Sequence, residues 1–233
     1  MRTPSLLAVC LASLAMACSQ APDLVADTTQ LMDPVERIDM HVIGFHPMKD
    51  DPHHAMEAHH YCSRLSDDFT QCVLFDGVGK DARMNGIEYI VSERVFEAMP
   101  EEERKYWHPH NFEIMSGQLV MPGISASAEH DAMTSLVNSY GKTWHVWDTG
   151  GPGMEGTPLP YGEPMLAWSY NAVGEAPKQL IQARDREFGI SSEKRMQERQ
   201  DLAPLLHCQA GVDALADAFP ERRPMAGICE KGD

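Results

Sequence analysis

The stretch from His59 to Asp76, HHYCSRLSDDFTQCVLFD, constrains the fold more than any other. Two strand-like runs flank Ser66, Asp67 and Asp68, residues whose side chains suit a turn, so the segment reads as an antiparallel hairpin with Cys62 opposite Cys72. Further strands read at Ile38 to Phe45 (IDMHVIGF), Gly86 to Ser92, Asn111 to Pro122 (NFEIMSGQLVMP), Lys142 to Asp148 and Pro164 to Tyr170. The first of these is apolar on both faces and is expected to be a central strand. Helical periodicity appears from Glu93 to Met99, in a turn started by Pro100, and from Ser127 to Tyr140, where Ala132, Leu136 and Tyr140 recur at fourfold spacing and Gly141 is the expected stop. Pro177 and Gly189 bracket another helix, and Ser191 to Leu202 has so few apolar residues that it must be largely solvated. The mixture predicts an α+β fold: a single domain, mainly antiparallel sheet with flanking helices and a helical C-terminal tail.

At the N-terminus, a lone Arg2 precedes an apolar run from Leu6 to Ala17, too short for the ~20 residues that span a bilayer, and the run ends at Cys18. Residues 1–17 read as a signal peptide. AMA before Cys18 fits ordinary signal cleavage, while LAMAC resembles a bacterial lipobox with Leu14 one step early. Lipidation at Cys18 is the expectation, followed by a polar tether over residues 18–35, a main domain over 36–190 and a C-terminal extension over 191–233. This places the chain on the outer membrane facing the periplasm, attached through its lipid anchor; the alternative is a soluble periplasmic or secreted protein. The chain carries 19 basic and 35 acidic residues, a net charge of −16, and loss of residues 1–17 with their one charge, Arg2, leaves −17. Such a surface has no basic stripe to displace counterions, so nucleic acid is not an expected partner.

Eleven histidines stand out. In EAHHYC (Glu57 to Cys62) strand alternation puts Glu57, His59 and Tyr61 on one face and Ala58, His60 and Cys62 on the other, so His59 and His60 cannot share a metal. In WHPHNFE, His108 and His110 share a face of an extended chain, but Glu113, an odd three residues later, turns away unless a bulge near Asn111 intervenes. In YGKTWHVW, His145 lies between tryptophans, either as a hydrogen-bonded core residue or as a ligand or general base. His46, His59, His60, His108, His110 and His145, with Glu57, Glu88 and Glu113, form a candidate pool for a divalent transition metal such as zinc. His53 and His54 sit in a polar loop where exposed histidines need no function. No nucleophile elbow, phosphate-binding glycine loop, dinucleotide fingerprint or HExxH helix occurs.

In order, HVIGFH, EAHHYC, QCVLFD, DARMNGIEYIVSE, WHPHNFEIMSGQLVMP and YGKTWHVW resemble the signature stretches of the plant oil body-associated protein family over about residues 38–190. The resemblance implies a domain of unknown biochemical activity with a lipid- or membrane-associated setting, and it carries no established site. Two functions follow as expectations: a domain that binds a lipid, a small molecule or another partner, or a metal-dependent enzyme built on the His/Glu cluster. For the cysteines, Cys208 and Cys229 lie outside the resembling region and are expected to pair in an oxidising compartment. Cys62 and Cys72 are the rival pair, but in plant relatives their equivalents would lie in a reducing cytosol, which implies a reduced, buried role.

Overall fold

Four strands, β1 (Met40–Met48), β2 (Asp51–Ser66), β3 (Phe69–Phe75) and β4 (Met84–Val91), follow one another antiparallel in a computed structural model that describes residues 33–151 and 154–232. The short β5 (His108–Pro109) and the longer β6 (Tyr140–His145) complete a curled half-barrel in the order β1-β2-β3-β4-β6-β5. Gly150–Gly151 (β7) pairs with Met154–Glu155 (β8) as a separate small ribbon, and Met165–Leu166 (β9) extends the far end of β6. Helices α1 (Asp33–Glu36), α2 (Glu93–Glu97), α3 (Glu101–Arg104), α4 (Asn111–Met115), α5 (Ala126–Leu136), α6 (Lys178–Phe188) and α7 (Ser192–Glu198) accompany the sheet. The fold is the expected α+β domain.

Register decides which side chains meet. Met40, Cys62, Cys72, Glu88 and Thr143 are successive cross-strand partners, so all five lie on the same face of the sheet. Val42, His60, Leu74, Gly86 and His145 form the next row. Two residues along β1 from the partner of Ala58, His46 stays on this face too. A core of Phe112, Ile114, Met115, Met121, Met133, Tyr170, Leu180, Leu202, Val212 and Ile228 packs α4, α5, α6 and the C-terminal segment together, with Val42 and Phe45 of β1 in the same cluster.

Several expectations change. The strand expected to be central, β1, is at an end of the sheet, and it is buried because Ile43 exchanges backbone hydrogen bonds with Val120 (2.8 and 3.0 Å) on its outer edge. Asn111 to Pro122 is not a strand: α4 fills its first part. Gly141 does not end α5; that helix stops at Leu136, Asn138 takes the left-handed turn (φ 67°), and Gly141 lies inside β6. Only Met165–Leu166 of the Pro164 to Tyr170 run pairs as strand. Gly189 does close α6, at φ 63°. α7 is mostly exposed as expected, yet Ser192 and the following Arg199 are buried.

Both cysteine pairs are joined. Cys208–Cys229 forms as expected, and Cys62–Cys72 is a disulfide as well, correcting the reduced role inferred for it; the hairpin places the two residues directly across from each other. Cys18, the signal peptide and most of the tether lie outside the described residues.

Candidate metal centre

Five histidines and two glutamates gather on the inner face of the sheet. Glu88, on β4, is the hub. Its Oε2 lies 2.6 Å from Nε2 of His60 and 3.8 Å from Nε2 of His46; its Oε1 lies 3.2 Å from Nε2 of His110 and 3.7 Å from Nε2 of His108. All of these residues are buried, at 3% exposure or less. His145 extends the group through its Nε2, 3.0 Å from Nδ1 of His46.

Local structure explains the convergence. His60 and Glu88 project inward by strand alternation, and His108 is delivered by β5 pairing opposite Gly141. His110 is the N-cap of α4, which begins because Asn111, Phe112 and Glu113 turn helical and His110 O accepts the Ile114 N–H. One helical turn returns Glu113, three residues on, to the side of His110. Its side chain lines the same cavity, with His46, His60, Glu88 and His110, and no bulge is needed.

The other ring nitrogens of His60 and His110 are held by neighbours: His60 Nδ1 lies 3.2 Å from Val42 O and His110 Nδ1 2.8 Å from Ser139 Oγ. His108 meets Thr143 Oγ1 (3.1 Å) through Nε2, the same nitrogen that faces Glu88, and among the described residues its Nδ1 has no partner. Trp168 stands at an angle beside the His108 ring, with centroids 6.0 Å apart. Such partners fix ring orientation, as in metal sites generally. For His60 they set a requirement: Nδ1 must donate to the Val42 carbonyl, so a singly protonated ring presents its Nε2 lone pair to a carboxylate oxygen 2.6 Å away. Either a second proton or a cation must lie between them.

The two carboxylates diverge. Burial alone would raise the Glu88 carboxyl, but the charge of His60 and hydrogen bonds from His110 and His60 hold it well below the usual range. Glu113 is pushed well above that range by burial and then by the negative charge of Glu88. Among the described residues its Oε1 has no hydrogen-bond partner. Burial first, then neighbouring histidines, lowers His108 to about 3 and His145 to about 4. The adjoining cavity, about 20 Å³, is bounded on one side by Cys62. A space of that size holds about one water.

The donor set suits zinc or a similar first-row ion, which takes imidazole nitrogen and carboxylate oxygen at about 2.0–2.2 Å. Ligands of a tetrahedral ion then stand about 3.3 Å apart. The contacts of 2.6 to 3.8 Å around Glu88 bracket that figure.

Two members of the candidate pool are placed elsewhere. His59 and Glu57 bond each other (3.1 Å) on the opposite face of β2, where His59 also meets His41. His54 lies near Asp148 at 3.3 Å, outside the cluster. Sequence reasoning missed Thr143, Ser139 and Gly141. An ideal Cβ at Gly141 would clash with Glu88 Oε1 and stand 2.6 Å from His110 Nε2 and 2.7 Å from His108 Cε1. The glycine between Tyr140 and Lys142 was the available signal, and it was assigned to a helix end.

The pattern of a protein family of unknown function, DUF1264, matches residues 32–203. Oil body-associated protein 1A of Zea mays is 37% identical over 191 residues, covering 82% of this chain and 77% of that protein. Oil body-associated protein 1B of Arabidopsis thaliana is 34% identical over 195 residues, covering 84% and 78%. Oil body-associated protein 2A of Zea mays is 35% identical over 186 residues, covering 79% and 72%. No solved structure matches.

Proposed function

The chain belongs to the DUF1264 family, and from that premise we propose that its domain holds a first-row transition metal such as zinc in the His/Glu pocket. The observation that carries the reading is the convergence of His46, His60, His108 and His110 on the buried carboxylate of Glu88, with the ligand atoms of each set of three within 4.8 Å of one another. His46, His60, His108 and His110 with Glu88 are the ligands, and Glu113 faces the space beside them. A bound ion there acts as a Lewis acid and as a cross-link between β1, β2, β4 and β5. The small cavity limits any direct reactant to about the size of water.

The reading is tested by thermal unfolding of chelator-stripped protein with and without zinc. Saturation at a thousandfold over Kd adds about 4 kcal/mol, so a clear rise in Tm is expected. An unchanged Tm at all zinc concentrations overturns it.

We attach the domain to the outer membrane through acylated Cys18, on the strength of the apolar run that ends there. Mass spectrometry of the mature N-terminus should find the lipid; an unmodified Cys18 refutes the attachment. A second reading, a surface that receives lipid or a partner, is favoured by the opposite face of the sheet, where Ile87 and Tyr89 are exposed at 41% and 38% beside Val73 and Tyr61. It also agrees with relatives named for oil bodies. Flotation of protein lacking residues 1–32 with phospholipid vesicles tests it, and failure to float with any vesicle removes it.

A further inference from the structure

Resting on the metal-binding reading, we infer that the pocket is built for two ions bridged by Glu88, one held by His46 and His60 and the other by His108 and His110. The donors gather as two sets of three, His46/His60/Glu88 and Glu88/His108/His110, each with its ligand atoms within 4.8 Å of one another. The sets share Glu88 alone. Each carboxylate oxygen serves one histidine pair: Oε2 faces His46 and His60, and Oε1 faces His108 and His110. One ion with bonds of about 2.0–2.2 Å spans donors no more than about 4.4 Å apart, so it suits either set better than their union. Paired metal sites with a shared oxygen ligand hold their ions about 3.5–4 Å apart.

The surroundings are symmetrical in the same sense. One imidazole on each side is braced through its Nδ1, His60 by Val42 O and His110 by Ser139 Oγ. Of the remaining two rings, His46 is held through Nδ1 by His145, while His108 meets Thr143 through Nε2, a contact that an ion bound at that nitrogen would replace. The ring centroids of His46 and His108 are 5.9 Å apart, against 4.9 Å within the His46/His60 pair and 5.0 Å within the His108/His110 pair. Charge is the main cost, because two divalent ions face only Glu88 and Glu113. The cavity beside Glu113 has room for one water-sized ligand; with Glu113 ionised by the bound cations, a hydroxide there would lower the excess from two positive charges to one.

The test is the stoichiometry of the untagged chain, stripped with chelator, loaded with Co2+, desalted and measured by elemental analysis. Two ions per chain are expected in the wild type, and one in each of His46→Ala and His110→Ala, with circular dichroism confirming the fold of both variants. Saturation of the wild type at one ion overturns the paired centre while leaving the metal-binding reading intact. No bound ion overturns both.

Discussion

Gly141 lies against the carboxylate of Glu88 so closely that a methyl group at its Cα would clash with Glu88 Oε1. This glycine is therefore a wall of the site. Gly141 pairs with His108 on one side and Ile90 on the other, so β6 passes directly behind the ligands. Gly141→Ala is expected to displace Glu88, His108 and His110 together, costing about 1–3 kcal/mol of stability by overpacking and at least tenfold in zinc affinity. Calorimetric titration and urea unfolding check it; unchanged affinity would show that Glu88 is not a ligand.

The C-terminal segment reaches the site through Gln209. Its Oε1 accepts from Asn111 N (3.1 Å), next to His110, and its Nε2 donates to Ser139 O (2.9 Å), the residue whose hydroxyl meets His110. Gln209 is itself fixed by backbone bonds to Cys229 and Lys231 beside the Cys208–Cys229 disulfide. Gln209→Ala is expected to weaken metal binding about 10–100-fold, the usual effect of losing an outer-shell partner, while leaving all ligands in place. A variant with wild-type affinity would contradict this link.

Acid should destabilise the metal-free protein. His46, His108 and His145 are held below their unfolded value of 6.5, with His108 at about 3 and His145 at about 4. Between those values and 6.5 the unfolded chain binds more protons, so stability falls as pH drops through this window. Each such histidine contributes up to about 1.4 kcal/mol per pH unit. Glu113 works in the opposite sense, because its raised carboxyl keeps a proton in the folded state, but one carboxylate is outweighed by three histidines. The urea midpoint of chelator-stripped protein should be lower at pH 5 than at pH 7. An equal or higher midpoint at pH 5 would contradict the burial of uncharged histidines.

Strand alternation made part of this site legible in the sequence. His59 and His60 were separable because adjacent residues on a strand must face apart, and the Ser66–Asp68 turn fixed Cys62 against Cys72. Glu113 was not legible. Its return to His110 depends on a five-residue helix too short to show a period, held by tertiary contacts: Arg199 donates to Ile114 O and Leu119 O (2.7 and 2.9 Å), and Arg184 to Gln118 O (2.8 Å). Arg199 comes from the stretch, Ser191 to Leu202, whose composition marked it as solvated, and Arg184 from the helix between Pro177 and Gly189. Likewise, the meeting of His46 with His60 follows from the β1–β2 pairing, and that of both with His110 from the fold as a whole.

The central claim is that a metal ion sits among His46, His60, Glu88, His108 and His110. Zinc K-edge X-ray absorption, with elemental analysis of protein purified without a histidine tag, tests it most directly. The account predicts bound metal with a nitrogen and oxygen first shell and imidazole outer scattering, lost in His60→Ala/His110→Ala and retained in His53→Ala/His54→Ala. Metal-free wild-type protein that takes up no zinc, or equal metal content in both double variants, would contradict it.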